Sequence, residues 1–95
     1  MFADMFEWDD EKNLDNIVKH HVSFEEAKMV FGDENRLIID DEKHSKSEIR
    51  YFCFGKAAKG ILSVRFTIRG NKIRIIGAGY WREGRKKYEQ RNYLY

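Results

Sequence analysis

The dipeptide Gly70-Asn71 separates two runs of alternating polarity, residues 61–69 and 72–76, and constrains the chain more than any other feature. A glycine followed by asparagine supplies the two-residue turn of a type II′ hairpin, so the two runs pair antiparallel. The register follows directly. Arg69 faces Lys72, Ile68 faces Ile73, Thr67 faces Arg74 and Phe66 faces Ile75. Leu62, Val64, Phe66, Ile68, Ile73 and Ile75 then share one face, which must be the core. Ser63, Arg65, Thr67, Arg69, Lys72 and Arg74 share the other, with Arg65 diagonal to Arg74. Like charges this close cost stability. Solvent, an acidic part of the chain or an anionic ligand would each relieve that cost. On the neighbouring strand, residues 49–54, alternation does not decide which set faces inward, so Arg50 is not placed by this argument. Cys53 reads as a small buried hydrophobe.

The rest of the chain supplies the other elements. Residues 5–8 read as a short first strand. Asp9 or Asp10 offers an N-cap for a helix running to about His20, with Leu14, Ile17 and Val18 as a narrow apolar stripe. Ser23-Phe24-Glu25-Glu26 is a capping-box pattern that opens a second helix over residues 24–31, burying Phe24, Ala27, Val30 and Phe31 until Gly32 ends it. Residues 36–40 form a strand, 41–46 a polar loop, and 82–93 a last helix after Gly77-Ala78-Gly79. The predicted order is β-α-α-β-β-β-β-α, an α+β fold with an antiparallel sheet packed by N-terminal helices. A length of 95 residues with 42% hydrophobic side chains suits a single domain over residues 1–95.

Charge is distributed unevenly. Residues 1–48 hold 14 Asp and Glu against 6 Lys and Arg, a net of −8, whereas residues 49–95 hold 2 against 12, a net of +10. Such halves either neutralise each other across the fold or leave a basic surface open to a polyanion. No apolar run approaches the length of a membrane span, and Met1-Phe2-Ala3-Asp4 lacks the character of a leader peptide. One cysteine and no Cys/His cluster give no disulfide or zinc framework. A cytoplasmic chain without metal or cofactor is expected. Dinucleotide, P-loop, serine-hydrolase and zinc-protease motifs are absent from the sequence.

What remains is a basic sheet face suited to a phosphodiester. Cleaving RNA without a metal needs a base for the 2′-hydroxyl, cations for the charged phosphorane and an acid for the leaving oxygen. His44 lies in an acidic loop beside Ser45, Glu48 and Arg50, which makes His44 and Glu48 the proton-transfer candidates, with His20 in reserve. Arg65 and Arg74 are candidates for charge stabilisation, and Lys12 and Lys19 for phosphate contact. The His20-His21 pair reads first as a helix-end cap, and Trp8 and Trp81 read first as core aromatics.

Phe6-Glu7-Trp8-Asp9, Lys12, Asn16, Lys19-His20, Val22-Ser23-Phe24-Glu25-Glu26-Ala27, Val30-Phe31 and Asp33 resemble the N-terminal signature of the BrnT toxin family. His44-Ser45, Glu48, Arg50, Gly55, Gly60 and Ile73-Arg74-Ile75-Ile76 continue the resemblance in order. It implies a RelE-like fold and a ribonuclease toxin of a type II toxin-antitoxin pair, which inhibits translation by cleaving RNA. It also implies a cognate DNA-binding antitoxin that neutralises the toxin in a hetero-oligomer, the complex repressing its own operon. The resemblance adds Arg50 and Arg82 to the candidates for charge stabilisation and Arg85 to those for phosphate contact. The sequence departs from the family pattern where Ile-Ser-Ala-Arg is usual: here Ile76-Gly77-Ala78-Gly79 precedes Tyr80-Trp81-Arg82, so a serine and an arginine are missing. His21 also replaces a usual glycine. The altered segment leaves a second reading open, a catalytically lapsed or non-enzymatic binding module that acts through the antitoxin. A DNA-binding regulator acting alone lacks a helix-turn-helix or ribbon-helix pattern.

Overall fold

The computed structural model describes residues 5–93. The segment Met1-Phe2-Ala3-Asp4, read above for leader character, lies outside the described residues. The elements are β1 (Phe6–Glu7), α1 (Asp10–His20), α2 (Phe24–Ala27), β2 (Leu37–Asp40), β3 (Arg50–Ala57), β4 (Gly60–Arg69), β5 (Lys72–Gly79) and α3 (Arg82–Tyr93). Two 3-10 turns, Lys28–Gly32 and Glu42–His44, interrupt this order. The α+β class and the succession of strands and helices are those read from the sequence.

Five strands form one sheet in the order β1-β5-β4-β3-β2. The meander β2–β5 is antiparallel, whereas β1 joins β5 in parallel, with Phe6 opposite Ile73 and Glu7 opposite Arg74. The hairpin has the expected register from Arg69↔Lys72 to Phe66↔Ile75. Gly70 has φ +62° and Asn71 is not left-handed, as a type II′ turn requires. Beyond Phe66 the register shifts, and Arg65 faces Gly77. Ile76 is therefore the extra residue of a bulge, and β5 continues through Gly79 instead of ending at Ile76.

Capping explains the helix starts. The Asp9 side chain accepts from the N–H groups of Glu11 and Lys12, and Ser23 Oγ accepts from Glu26 N at 3.0 Å. Only half of the capping box forms, because the Glu26 carboxylate receives the Tyr80 hydroxyl. The second helix is shorter than expected, a single α-turn that tightens into the 3-10 turn at Lys28.

One sheet face packs against α2 and its 3-10 turn. Val22, Phe24, Ala27, Val30, Cys53, Leu62, Val64, Phe66 and Ile75 are buried there. The face assignment made from the hairpin holds, but its outer pair does not reach the core: Ile73 is half-buried and Ile68 is 55% exposed. The helical layer ends before the hairpin tip. The opposite face is not simply an open charged surface. The helix α3 covers its Ser63 end, where Gly84 comes so near that a Cβ would sit 2.8 Å from the Phe54 ring. Ser63 and Thr67 are buried, and the arginines among them are partnered.

Candidate functional site

Two cross-strand rows build the site on the α3 side of the sheet. Glu7, Arg74, Thr67 and Arg50 form one row across β1, β5, β4 and β3. Gly77, Arg65, Phe52 and Ile39 form the next, across β5, β4, β3 and β2. This places Arg50, Arg65 and Arg74 on one face, a placement that alternation alone left open for Arg50. Thr67 Oγ1 donates to the Ile49 carbonyl at 2.7 Å, which accounts for a hydroxyl buried among cations.

Acidic residues of the first half neutralise each arginine of these rows. Arg74 meets Glu7 at 3.4 Å; Arg69 and Arg50 meet the two oxygens of Glu48 at 3.4 and 3.6 Å. Arg65 Nε donates to Asp41 Oδ2 at 2.7 Å, and its guanidinium lies 4.9 Å from the centre of the Phe52 ring. Arg65 and Arg74 remain 26% and 27% exposed, so both stay reachable from solvent.

Asp41 organises the loop between β2 and β3. Its N–H donates to the Arg50 carbonyl at 2.8 Å. Ser45 Oγ accepts from Arg50 N and donates to the Asp41 carbonyl, both at 2.8 Å, which closes the loop on itself. The fold therefore holds the Asp41 carboxylate almost out of solvent, where it receives His44 Nδ1 at 3.0 Å in addition to Arg65. Burial alone would raise the pKa of Asp41. The hydrogen bonds and charges of His44 and Arg65 outweigh burial and hold it below the ordinary carboxylate value. An ionised Asp41 fixes Nδ1 of His44 as the donor, so the lone pair of the neutral ring lies on Nε2. The imidazole is 42% exposed.

The other side of Arg65 opens into a hollow of about 440 Å³ lined by Lys12, Asp15, Asn16, Lys19 and His20 of α1 together with Ile76, Gly77 and Trp81. Its floor is open because the residue opposite Arg65 is Gly77, which has no side chain. Asn16 ties α1 to the strand edge: its amide donates to the Ala78 carbonyl at 2.9 Å and accepts from Ala78 N at 3.1 Å, as a neighbouring strand would. Lys12 and Lys19 have no carboxylate partner among the described residues.

The fold thus brings together His44, Arg65, Arg50, Arg74 and Glu48, with Lys12, Lys19 and His20 on the far side of Arg65. Arg82 and Arg85 are not among them; they line a separate hollow with Lys59, Gly60, Ile61, Tyr80 and Trp81. His21, read as a cap, acts through its backbone, its N–H donating to the Ile17 carbonyl at 2.9 Å. The His20 ring instead meets Trp81 edge-on, 5.3 Å between centres. Trp8 packs edge-on against Phe24 as a core aromatic does, whereas Trp81 is half-buried at the surface hollows. Sequence reasoning missed Asp41 as the organising carboxylate; its spacing of three from His44 was the available signal. It also missed Glu7, which has no local signal because its partner is 67 residues away.

Cys53 is buried and its thiol is pushed up to about 12, chiefly by burial, so it is no nucleophile. Among the described residues no three His, Cys, Asp or Glu side chains group as metal ligands, and no helix is long and apolar enough to cross a membrane. No curated protein matches the chain. The model of a family described as the ribonuclease toxin BrnT of type II toxin-antitoxin systems matches residues 8–84, a span that holds every site residue named above except Glu7 and Arg85.

Proposed function

The chain belongs to the BrnT family of ribonuclease toxins of type II toxin-antitoxin systems, and we propose that it is a metal-independent endoribonuclease whose chemistry centres on His44 and Arg65. The observation that carries this reading is the single carboxylate of Asp41, which holds His44 Nδ1 and Arg65 Nε on the same oxygen. A proton-exchanging imidazole and a guanidinium fixed side by side are what a phosphodiester cleavage demands.

In this mechanism His44 Nε2 removes the proton from a ribose 2′-hydroxyl. The freed oxygen attacks the adjacent phosphorus. Arg65 balances the charge that builds on the equatorial oxygens, and Arg50 and Arg74 hold the flanking phosphates. The P–O5′ bond then breaks, and the leaving oxygen takes a proton from His20, which lines the same hollow as Arg65. The products are a 2′,3′-cyclic phosphate and a 5′-hydroxyl. Glu48, engaged by Arg50 and Arg69, positions those cations. Lys12 and Lys19 steer the strand into the hollow.

Cleavage of RNA would inhibit translation. A type II family implies a protein antitoxin, and an acidic segment of it laid across the arginine rows would exclude RNA by competition. A DNA-binding antitoxin would let the complex repress its own operon. The residues Gly77 and Gly79, in place of a serine and an arginine, favour one other reading, a protein that binds RNA or antitoxin without cleaving. Incubating the purified chain with single-stranded RNA in excess EDTA separates the two. Fragments ending in 2′,3′-cyclic phosphate are expected. Intact RNA, together with unimpaired growth of bacteria expressing the chain alone, would establish the non-enzymatic reading.

A further inference from the structure

Trp81 borders three hollows at once. One is the α1 hollow with Arg65; one reaches Asp41 beneath α3; the third, of about 440 Å³, is walled by Lys59, Tyr80, Arg82 and Arg85. The indole is held in place rather than loosely exposed. It lies so close over Gly79 that a Cβ there would come within 2.8 Å of Nε1 and 2.5 Å of Cζ2. Its ring also meets His20 edge-on. The Trp81 carbonyl accepts from Arg85 N at 3.2 Å, which joins the indole's backbone to the first turn of α3. Only glycine at position 79 permits this packing, which gives the unusual Gly77-Ala78-Gly79 segment a physical purpose.

The cations beside Trp81 differ from those of the arginine rows. Arg50, Arg65, Arg69 and Arg74 each meet a carboxylate, whereas Lys59, Arg82 and Arg85 form no ion pair among the described residues. The cleavage chemistry uses none of these three. A fixed aromatic surface flanked by unneutralised cations is the recognition element of single-stranded nucleic acid, in which a base stacks and its phosphate is held.

We propose that Trp81, Arg82 and Arg85 form a second nucleotide subsite, in which the indole stacks a base next to the cleaved linkage and the two guanidinium groups hold the phosphate beyond it. The subsite rests on the reading of RNA as substrate and extends it: the strand leaves the hollow at Arg65, turns over Trp81 and continues past Arg85. Both guanidinium groups sit on exposed positions of α3, so their replacement leaves the fold intact.

The test uses a Trp8→Phe protein, in which Trp81 is the sole tryptophan. The probe is a fully 2′-O-methylated single-stranded heptanucleotide, which carries no nucleophilic hydroxyl and so binds without being cleaved. Indole emission is expected to quench saturably. An Arg82→Gln/Arg85→Gln double variant should bind the heptanucleotide about tenfold or more weakly. It should lower the slope of log affinity against log salt by about 1.4, and leave binding of a dinucleotide unchanged. Trp81→Ala should weaken heptanucleotide binding as well. Absence of quenching, or a double variant that binds like its parent, would overturn the subsite. The two readings fail separately: quenching and arginine dependence without any RNA cleavage would keep the subsite and refute the catalytic assignment. Cleavage with a KM indifferent to Arg82 and Arg85 would refute the subsite alone.

Discussion

Asp41 accepts from His44 and Arg65 with a side chain only 5% exposed, and its ionised state is what orders both partners. The short spacing from Asp41 to His44 was visible in the chain. The bond to Arg65, 24 residues away, depends on a register that only the folded sheet establishes. His21 shows the converse, a residue whose problem is entirely local. It ends α1 with φ 60°, the left-handed conformation that glycine adopts freely and a side chain does not. The glycine usual at this place in the family has its reason here. His21→Gly should stabilise the protein by about 0.5–1 kcal/mol, read as a higher urea midpoint at unchanged slope. A lower midpoint would mean that the imidazole itself holds the turn.

Among the elements, the hairpin was the most legible, because alternation and a two-residue turn act over a few neighbouring residues. The bulge at Ile76 was not, since nothing in Ile75-Ile76-Gly77 signals an extra residue until Arg65 is seen opposite Gly77. The docking of α3 was equally hidden. It rests on Gly84 and on Asp33, whose carboxylate receives the Tyr88 hydroxyl at 2.7 Å and Lys56 N at 2.9 Å, tying the 3-10 turn to α3 and β3. Burial would raise the pKa of Asp33, but the Tyr88 hydroxyl and the Asn35 and Lys56 N–H groups bring it below its ordinary value of 3.8. A depressed carboxylate contributes stability that is complete above the unfolded value and is lost as pH falls through the folded one. Asp33→Asn should therefore unfold more readily than the wild type at neutral pH, and the gap should begin to close as pH falls below 3.8 and vanish only below the depressed folded value. Urea unfolding across pH 2–7 checks this; a constant gap would place the effect in packing instead.

Across the whole molecule the charge split of −8 and +10 resolves into specific pairs, Glu7 with Arg74, Asp41 with Arg65, and Glu48 with Arg50 and Arg69. Charge alone left open whether the halves would meet or leave a basic surface exposed. Which carboxylate meets which arginine was not readable from it either, because each pair joins elements remote in sequence. The resulting surface is a set of guanidinium groups held in position by carboxylates and partly exposed to solvent. Lys59, Arg82 and Arg85 lie beyond it at Trp81, without carboxylate partners among the described residues. The proposed chemistry lies at Asp41, His44 and Arg65, and the rate at which wild-type and Asp41→Asn proteins cleave one defined single-stranded RNA at pH 7 tests it most directly. The substitution keeps the shape and removes the charge that orients His44, so the rate should fall by about 10²-fold or more while the variant still folds and still binds RNA. Equal rates from the two folded proteins would contradict a role for the Asp41 charge in cleavage.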